Sequence, residues 1–296
     1  MKNISIIGSG TMGNGIAHVF CLHGYKVHLI DISQVALEQA LESINRNLDR
    51  QIKKETIRED DKIQALDNLS TGTQLKEGVK AADLIIEAII ENIGIKKKIF
   101  SELDEYAKEE AIIASNTSSI SISDLASATS RPEKVIGMHF MNPVPMMELV
   151  EVIRGYNTSD ETTGTVMDIC KRIQKIPIEV EDYPGFIANR ILMPMINESI
   201  YALQEGVAGV AEIDTIMKLG MAHPMGPLQL ADYIGLDVCH SILKVMFNGF
   251  GDPKYAPCPL LVNMVQAGHL GRKSGQGFYI WEPGKKDLEV SQRFLR

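Results

Sequence analysis

Lys2-Asn3-Ile4-Ser5-Ile6-Ile7-Gly8-Ser9-Gly10-Thr11-Met12-Gly13 is the stretch whose reading decides the fold. Its isoleucine-rich start, residues 2–7, reads as a buried strand. Residues 11–24 read as a helix stopped by Gly24, and residues 26–30 as a second strand, which completes one βαβ unit. Gly8, Gly10 and Gly13 stand at G-x-G-x-x-G spacing where strand becomes helix. The backbone there turns tightly, and the first helical N–H groups, those of Thr11, Met12 and Gly13, face outward as an anion cradle suited to a pyrophosphate.

Asp31 closes the second strand 18 residues after Gly13. A carboxylate at that place accepts bonds from ribose hydroxyls and repels a 2′-phosphate, so the combination predicts NAD as cofactor rather than NADP. The alternative is that the glycines serve only a turn and Asp31 only the start of the helix after Ser33.

Short apolar runs recur at residues 82–87, 111–115, 135–139 and 149–153, with helix-like stretches between most of them. The pattern predicts an α/β fold with a Rossmann-type doubly wound, mostly parallel sheet. Residues 33–66 interrupt it, and Leu37, Leu41, Ile44 and Leu48 recur there at helical spacing, so a helical hairpin projecting from the sheet is expected. After Tyr183-Pro184-Gly185 the strands stop. Residues 186–204, 210–219, 228–247 and 259–267 carry helical periodicity, which predicts residues 1–184 as the dinucleotide-binding domain and residues 185–296 as an all-α C-terminal domain. The chain from Glu282 onward is charged with little to bury, and is expected to be loosely held.

Composition narrows the function classes. With 296 residues, 45% of them apolar and 23% charged, the chain is long enough for two ordinary domains. The net charge of -8 opposes general adsorption to nucleic acid while leaving room for a local basic patch. No run approaches the roughly 20 apolar residues of a membrane span. The N-terminus carries no cleavable signal pattern, so a cytoplasmic location is expected. Cys21, Cys170, Cys239 and Cys258 lack C-x-x-C spacing, so neither a metal site nor a disulfide framework is encoded.

The chemistry-bearing residues fall where an open α/β sheet builds its ligand crevice. Ser115-Asn116-Thr117-Ser118-Ser119 ends one predicted strand and His139 ends the next. Glu151 sits inside the apolar run Leu149-Val150-Glu151-Val152-Ile153, where a carboxylate is costly without a partner, and His139 is the natural one. Taken singly, serines make turns and a strand-end histidine is structural; their joint placement points to a reaction site.

Seven blocks carry a resemblance along nearly the whole chain: GSGTMG at 8–13, EAIIENIGIKKKIF at 87–100, SNTSS at 115–119, GMHFMNPVPMMELVEV at 137–152, PGFIANRI at 184–191, AHPMGPLQLADYIGLD at 222–237 and GRKSGQGFY at 271–279. Together they resemble the 3-hydroxyacyl-CoA dehydrogenase family, in particular its short-chain bacterial 3-hydroxybutyryl-CoA members. Met141 departs from the phenylalanine frequent in the family, and the tail beyond Tyr279 is longer than usual.

The resemblance implies an NAD-dependent interconversion of (S)-3-hydroxyacyl-CoA and 3-ketoacyl-CoA, with 3-hydroxybutyryl-CoA and acetoacetyl-CoA as the expected pair. His139 is then the general base, Glu151 binds its other ring nitrogen, and Ser118 and Asn189 bond the substrate oxygens, with Ser118 also close to the nicotinamide. Glu91, Lys96 and Lys273 fall at positions the family uses around the cofactor, although a solvated surface pair also accounts for Glu91 and Lys96. Asn47, Arg50 and Lys54, at i, i+3 and i+7 of one helix face, are implied for the CoA phosphates, against the alternative of a merely solvated face. Helix capping is the alternative for Asn189. The family also implies a homodimer or higher homo-oligomer through the helical domain. A dehydrogenase of free hydroxy acids and a non-catalytic dinucleotide-binding protein remain as rival readings.

Overall fold

The computed structural model describes residues 1–284 and 287–295 and divides into two compact units, Met1–Tyr183 and Pro184–Arg296. The first holds β1 (Asn3–Ile7), α1 (Thr11–Leu22), β2 (Lys26–Ile30), α2 (Gln34–Lys53), α3 (Glu59–Asp67), β3 (Leu69–Gly72), α4 (Leu75–Val79), β4 (Leu84–Glu87), α5 (Ile93–Tyr106), β5 (Ile112–Ser115), α6 (Ile122–Ala126), β6 (Val135–Phe140), β7 (Leu149–Arg154), α7 (Asp160–Arg172) and β8 (Ile176–Glu181). The strands make one sheet in the order β3-β2-β1-β4-β5-β6-β7-β8. The strand order reverses at β1, which lies between β2 and β4, so a crevice opens outside the carboxyl ends of β1 and β4. Ile30, Ile7, Glu87 and Ser115 lie level across four neighbouring strands and form its floor.

Within this sheet β6 and β7 are the only neighbours that run antiparallel. Residues 141–148 join them, too few for the crossover of about a dozen residues that parallel neighbours need, and Pro143 and Pro145 keep a helix from forming there. Two strands of this sheet were missed in the sequence. β3 is a short polar edge strand paired with β2 alone, and β8 alternates apolar with charged residues at the opposite edge.

The insert is helical, as read, but it does not stand away from the sheet. Leu37, Ala40, Ile44 and Leu48 of α2 and Ala65 of α3 are buried in the same core as Phe20 of α1 and Leu29 of β2. Ala40 rather than Leu41 completes the buried stripe, because the inward face advances by three and four residues from Leu37.

Asp83, just before β4, ties down the start of β1: its carboxylate accepts the amides of Lys2 at 2.5 Å and Asn3 at 3.0 Å and pairs with the Lys108 ammonium. Burial pushes this carboxyl up, but the Lys108 bond and the two amides outweigh it and hold the pKa down at about 2. A native pKa below the unfolded value contributes stability above about pH 4 and loses it as pH falls toward 2. Asp83→Asn is therefore expected to lower stability at pH 7 by about 1–2 kcal/mol, after allowing for solvent screening, with the gap closing between pH 4 and pH 2. Urea midpoints across that range provide the check; a gap that stays constant would contradict the assignment.

The second unit comprises α8 (Ala188–Gln204), α9 (Val210–Gly220), α10 (Pro227–Ile234), α11 (Leu236–Phe250), α12 (Pro259–Gln266) and a two-stranded ribbon of β9 (Tyr279–Ile280) and β10 (Glu289–Val290). Met193, Ile196, Leu228, Leu243, Leu261 and Phe278 lie in its core. The single helix expected over residues 228–247 is two, because Gly235 takes φ +108° and breaks the run between stretches that share one periodicity. The expectation of a loose tail is also corrected. β10 pairs with β9, Ser291 is buried with its amide on Phe278 O at 2.9 Å, and the Phe294 ring lies 5.7 Å from that of Phe278. Lys285, Lys286 and Arg296 of that tail lie outside the described residues.

Candidate active site

The glycine turn is built to close tolerances. Gly8 has φ +96°, and its amide donates to Ile30 O at 2.8 Å, which draws the turn onto β2. A Cβ at Gly13 would lie 1.7 Å from Gly8 O, so the helix can approach the turn only with no side chain there. At Gly10, the N-cap of α1, a Cβ would meet nothing within 4 Å. That open space in front of the first turn, where Thr11, Met12 and Gly13 start the helix, is the cradle a pyrophosphate requires.

Asp31 Oδ2 accepts the Ser9 amide and hydroxyl, both at 2.8 Å, and Oδ1 accepts the Ser33 amide at 3.0 Å. Burial raises its pKa, but the amides of Ser9 and Ser33 and the Ser9 hydroxyl outweigh that effect and hold the carboxyl below its usual range. The helix cap itself is Ser33, whose hydroxyl accepts the Ala36 amide at 3.2 Å. Asp31 thus braces both the turn and the entry to α2 and stays partly exposed. A cavity of about 560 Å³ has Gly8, Gly10 and Asp31 in its wall beside Ile32, Thr73 and Ile90. A mostly apolar wall with the Asp31 carboxylate beside the glycine turn fits the adenosine half of a dinucleotide.

Beyond the turn, β4 and β5 end in a polar network. Lys96, on α5, is 1% exposed, and its ammonium meets Glu87 Oε1 at 2.7 Å and Glu91 Oε2 at 3.1 Å. Lys96 is therefore no solvated surface residue, whereas Glu91, its side chain 40% exposed, keeps contact with solvent. Glu91 Oε1 accepts the Ser118 amide at 3.1 Å and the Ser119 hydroxyl at 3.2 Å. Burial pushes Glu91 up, but the Lys96 ammonium, followed by the Thr117 hydroxyl, outweighs it and holds the carboxyl below its usual range. Ser118 is half-buried in the loop that Glu91 holds.

His139 and Glu151 are direct partners across the antiparallel ladder, and His139 Nδ1 lies 2.8 Å from Glu151 Oε2. Their side chains are 12% and 4% exposed, so the pair is shielded but not sealed. Asn116, which the sequence reading quoted without a role, accepts the Phe140 amide at 2.9 Å and so ties the end of β6 to the end of β5. Glu87 also escaped that reading, and its signal was a lone charge closing the apolar strand Leu84–Glu87.

The remaining residues lie elsewhere. Asn47 and Arg50 share a face of α2, with Arg50 Nη1 3.3 Å from Asn47 Oδ1, whereas Lys54 is the C-cap just beyond the helix. Thirteen residues of helix place Asn47 about 20 Å along the axis from the start of α2. In the second unit, Asn189 is buried in the first turn of α8, two residues after the N-cap Ile187. Lys273 pairs with Asp237 at 2.5 Å. All four cysteines are buried, and among the described residues no group of three or more His, Cys, Asp or Glu is placed to hold a metal.

Residues 3–183 match the family model described as 3-hydroxyacyl-CoA dehydrogenase, NAD binding domain, and residues 185–281 match its C-terminal domain. The chain belongs to the 3-hydroxyacyl-CoA dehydrogenase family. Membership makes it an oxidoreductase that uses NAD. A 3-hydroxybutyryl-CoA dehydrogenase of Bradyrhizobium diazoefficiens is 52% identical over 96% of this chain and 97% of that one. The mitochondrial hydroxyacyl-coenzyme A dehydrogenase of Rattus norvegicus is 42% identical over 94% of this chain and 91% of its own. The crystal structure of (S)-3-hydroxybutyryl-CoA dehydrogenase from Ralstonia eutropha superposes with a TM-score of 0.92 at 49% identity, covering 95% of this chain and 99% of that one. As expected of the family, the sheet is mostly parallel with helices and is followed by a helical domain.

Proposed function

We propose that this dehydrogenase interconverts (S)-3-hydroxybutyryl-CoA and acetoacetyl-CoA, with His139 and Glu151 as its acid–base pair. The observation that carries the reading is the 2.8 Å contact between His139 Nδ1 and Glu151 Oε2 on adjacent strands of an NAD binding domain. A carboxylate on Nδ1 selects the tautomer with the proton on that nitrogen and leaves the Nε2 lone pair for substrate. In the oxidative direction Nε2 takes the 3-hydroxyl proton, and Glu151 stabilises the imidazolium that results. In the reductive direction the same nitrogen returns the proton to the ketone oxygen. When bound, NAD supplies the hydride acceptor, and NADH the donor.

Ser118 orients the reacting oxygen from the loop that Glu91 holds, and the family resemblance assigns Asn189, in the second unit, to substrate binding. The glycine turn and Asp31 bind the pyrophosphate and ribose, with Glu91, Lys96 and Lys273 around the rest of the cofactor. Asn47, Arg50 and Lys54 take the phosphates of CoA, far enough along α2 to leave the ketone untouched. The relatives' full-length match supports the short acyl-CoA substrate. We assign the protein to butyrate and fatty acid metabolism in the cytoplasm, as a homodimer or higher homo-oligomer. Among the described residues no helix is long and apolar enough to cross a membrane.

Initial rates of NADH oxidation with acetoacetyl-CoA, with longer 3-ketoacyl-CoA thioesters and with free 3-keto acids test the substrate. Turnover confined to free acids would replace this reading with that of a hydroxy-acid dehydrogenase, and no turnover at all with that of a non-catalytic binding protein. Arg50→Glu with Lys54→Glu is expected to raise KM for acetoacetyl-CoA at least tenfold and to leave KM for an acetoacetyl-pantetheine thioester, which lacks the nucleotide phosphates, within about twofold. Equal changes for the two thioesters would remove the hairpin from the CoA site.

A further inference from the structure

Glu87 is 0% exposed, closes β4, and has no part in the chemistry proposed above. A carboxylate at such depth is costly unless both oxygens meet donors, and here they do. Oε1 accepts Lys96 Nζ at 2.7 Å and the Ile89 amide at 2.7 Å, and Oε2 accepts the Ser115 hydroxyl at 2.7 Å. From these contacts two arms reach the loop that carries Ser118. In the short arm, Ser115 Oγ accepts the Thr117 amide at 3.2 Å. In the long arm, Lys96 bridges from Glu87 to Glu91, and Glu91 holds the Ser118 amide at 3.1 Å and the Thr117 hydroxyl. Thr117 Oγ1 then accepts the amides of Ser119 at 3.2 Å and Ile120 at 2.9 Å.

Every backbone amide from Thr117 to Ile120 is thus bonded within a network that has Glu87 at its root. We infer that Glu87 is a positioning residue for the dehydrogenase reaction, setting Ser118 through Lys96 and Glu91 on one side and Ser115 on the other. The inference rests on Ser118 acting on the substrate. The alternative is that Glu87 only neutralises a lysine that the packing of α5 happens to bury. The geometry argues against a neutralising role alone. Lys96 already has a second carboxylate in Glu91, and the hydroxyl that satisfies the other oxygen of Glu87 is that of Ser115, whose oxygen in turn accepts the Thr117 amide of the loop that carries Ser118.

The test uses the full-length enzyme carrying Glu87→Gln, which keeps the size and one acceptor oxygen and removes the charge. Lys96 then has Glu91 as its only carboxylate, and the carboxylate holding Ser118 is drawn off its present line. The expected result is folded protein whose amides at residues 117–120 exchange with deuterium at least tenfold faster, while β4 and β5 keep their protection. With it, kcat for acetoacetyl-CoA falls by about tenfold to a hundredfold, with KM for the thioester within about twofold, because sub-ångström misplacement acts on the transition state more than on binding.

Because a lone buried lysine can unfold a protein, Glu87→Gln with Lys96→Met removes both charges and serves as the second variant. It is expected to fold, and to show the same faster exchange at residues 117–120 and the same loss in kcat. Parental exchange at those residues in whichever variant folds, or parental kcat at saturating substrates, would overturn the inference. If the unaltered protein does not reduce acetoacetyl-CoA, the substrate reading fails on its own, and the exchange measurement still decides whether Glu87 holds the loop.

Discussion

Replacement of His139 by glutamine is expected to lower kcat for acetoacetyl-CoA reduction by about 10²- to 10⁴-fold, the range that positioned acid–base catalysis supplies. Glutamine preserves a polar group on β6 but has no proton to exchange near neutral pH. Because the imidazole is held from its Nδ1 side by Glu151, the lost function is that of Nε2, and NADH affinity is expected to remain within about twofold. Glu151→Gln makes the complementary case. An amide opposite Nδ1 still bonds the ring but no longer offsets the imidazolium charge, so kcat falls while the folded state survives. Steady-state rates together with NADH binding by fluorescence separate these effects. A His139→Gln enzyme with near-parental turnover would take His139 out of the chemistry.

The second large effect is expected at two glycines three residues apart. Gly13→Ala places a methyl group 1.7 Å from a carbonyl oxygen of its own turn, and no rotamer relieves a backbone clash of this kind. Helix α1 has to lift from β1, with a loss of stability of about 3 kcal/mol or more, at the upper end of overpacking penalties, and NADH binding falls with it. Gly10→Ala meets open space and is expected to leave the unfolding midpoint nearly unchanged. It should still weaken NADH by at least tenfold, because the added methyl fills the cradle in front of the helix. If the cradle holds the pyrophosphate, thermal unfolding separates the two variants while NADH titration shows a loss in both. A Gly10→Ala protein that binds NADH with parental affinity would empty that assignment.

Legibility in the sequence followed the distance over which each feature is decided. The βαβ unit was readable because strand, glycine turn, helix and Asp31 fall within one short segment governed by local backbone rules. The pairing of His139 with Glu151 was readable because a carboxylate inside an apolar strand needs a partner, whereas Ser118 was singled out only by the family resemblance. β3 was not, since Leu69-Ser70-Thr71-Gly72 has little apolar character and owes its conformation to β2. The break at Gly235 was hidden because apolar residues on both sides keep the same spacing, and a glycine inside a helix pattern is ambiguous until its φ is known. The tail at residues 287–295 was misjudged for a related reason. Its few apolar side chains, Leu288, Val290 and Phe294, are enough once a core is present to receive them. The Glu87 network was beyond sequence reading, because its members are 9 and 28 residues apart and meet only when two strands align.

The reversed strand pair that carries His139 and Glu151 also separates the two halves of the chemistry in folding. The two residues are 12 apart in the chain and are brought face to face by closing one hairpin. The crevice floor beside the glycine turn instead depends on β1 lying beside β4, with Ile4 opposite Leu84. Closing the longer loop costs about 1.7 kcal/mol more in chain entropy, by the logarithmic dependence on loop length. On the proposed mechanism, the acid–base pair is therefore encoded by a local contact and the crevice floor by a distant one. Insertions between β2 and β4 lengthen only the second loop, so the region proposed for the coenzyme A phosphates is free to diverge without disturbing the pairing of His139 with Glu151.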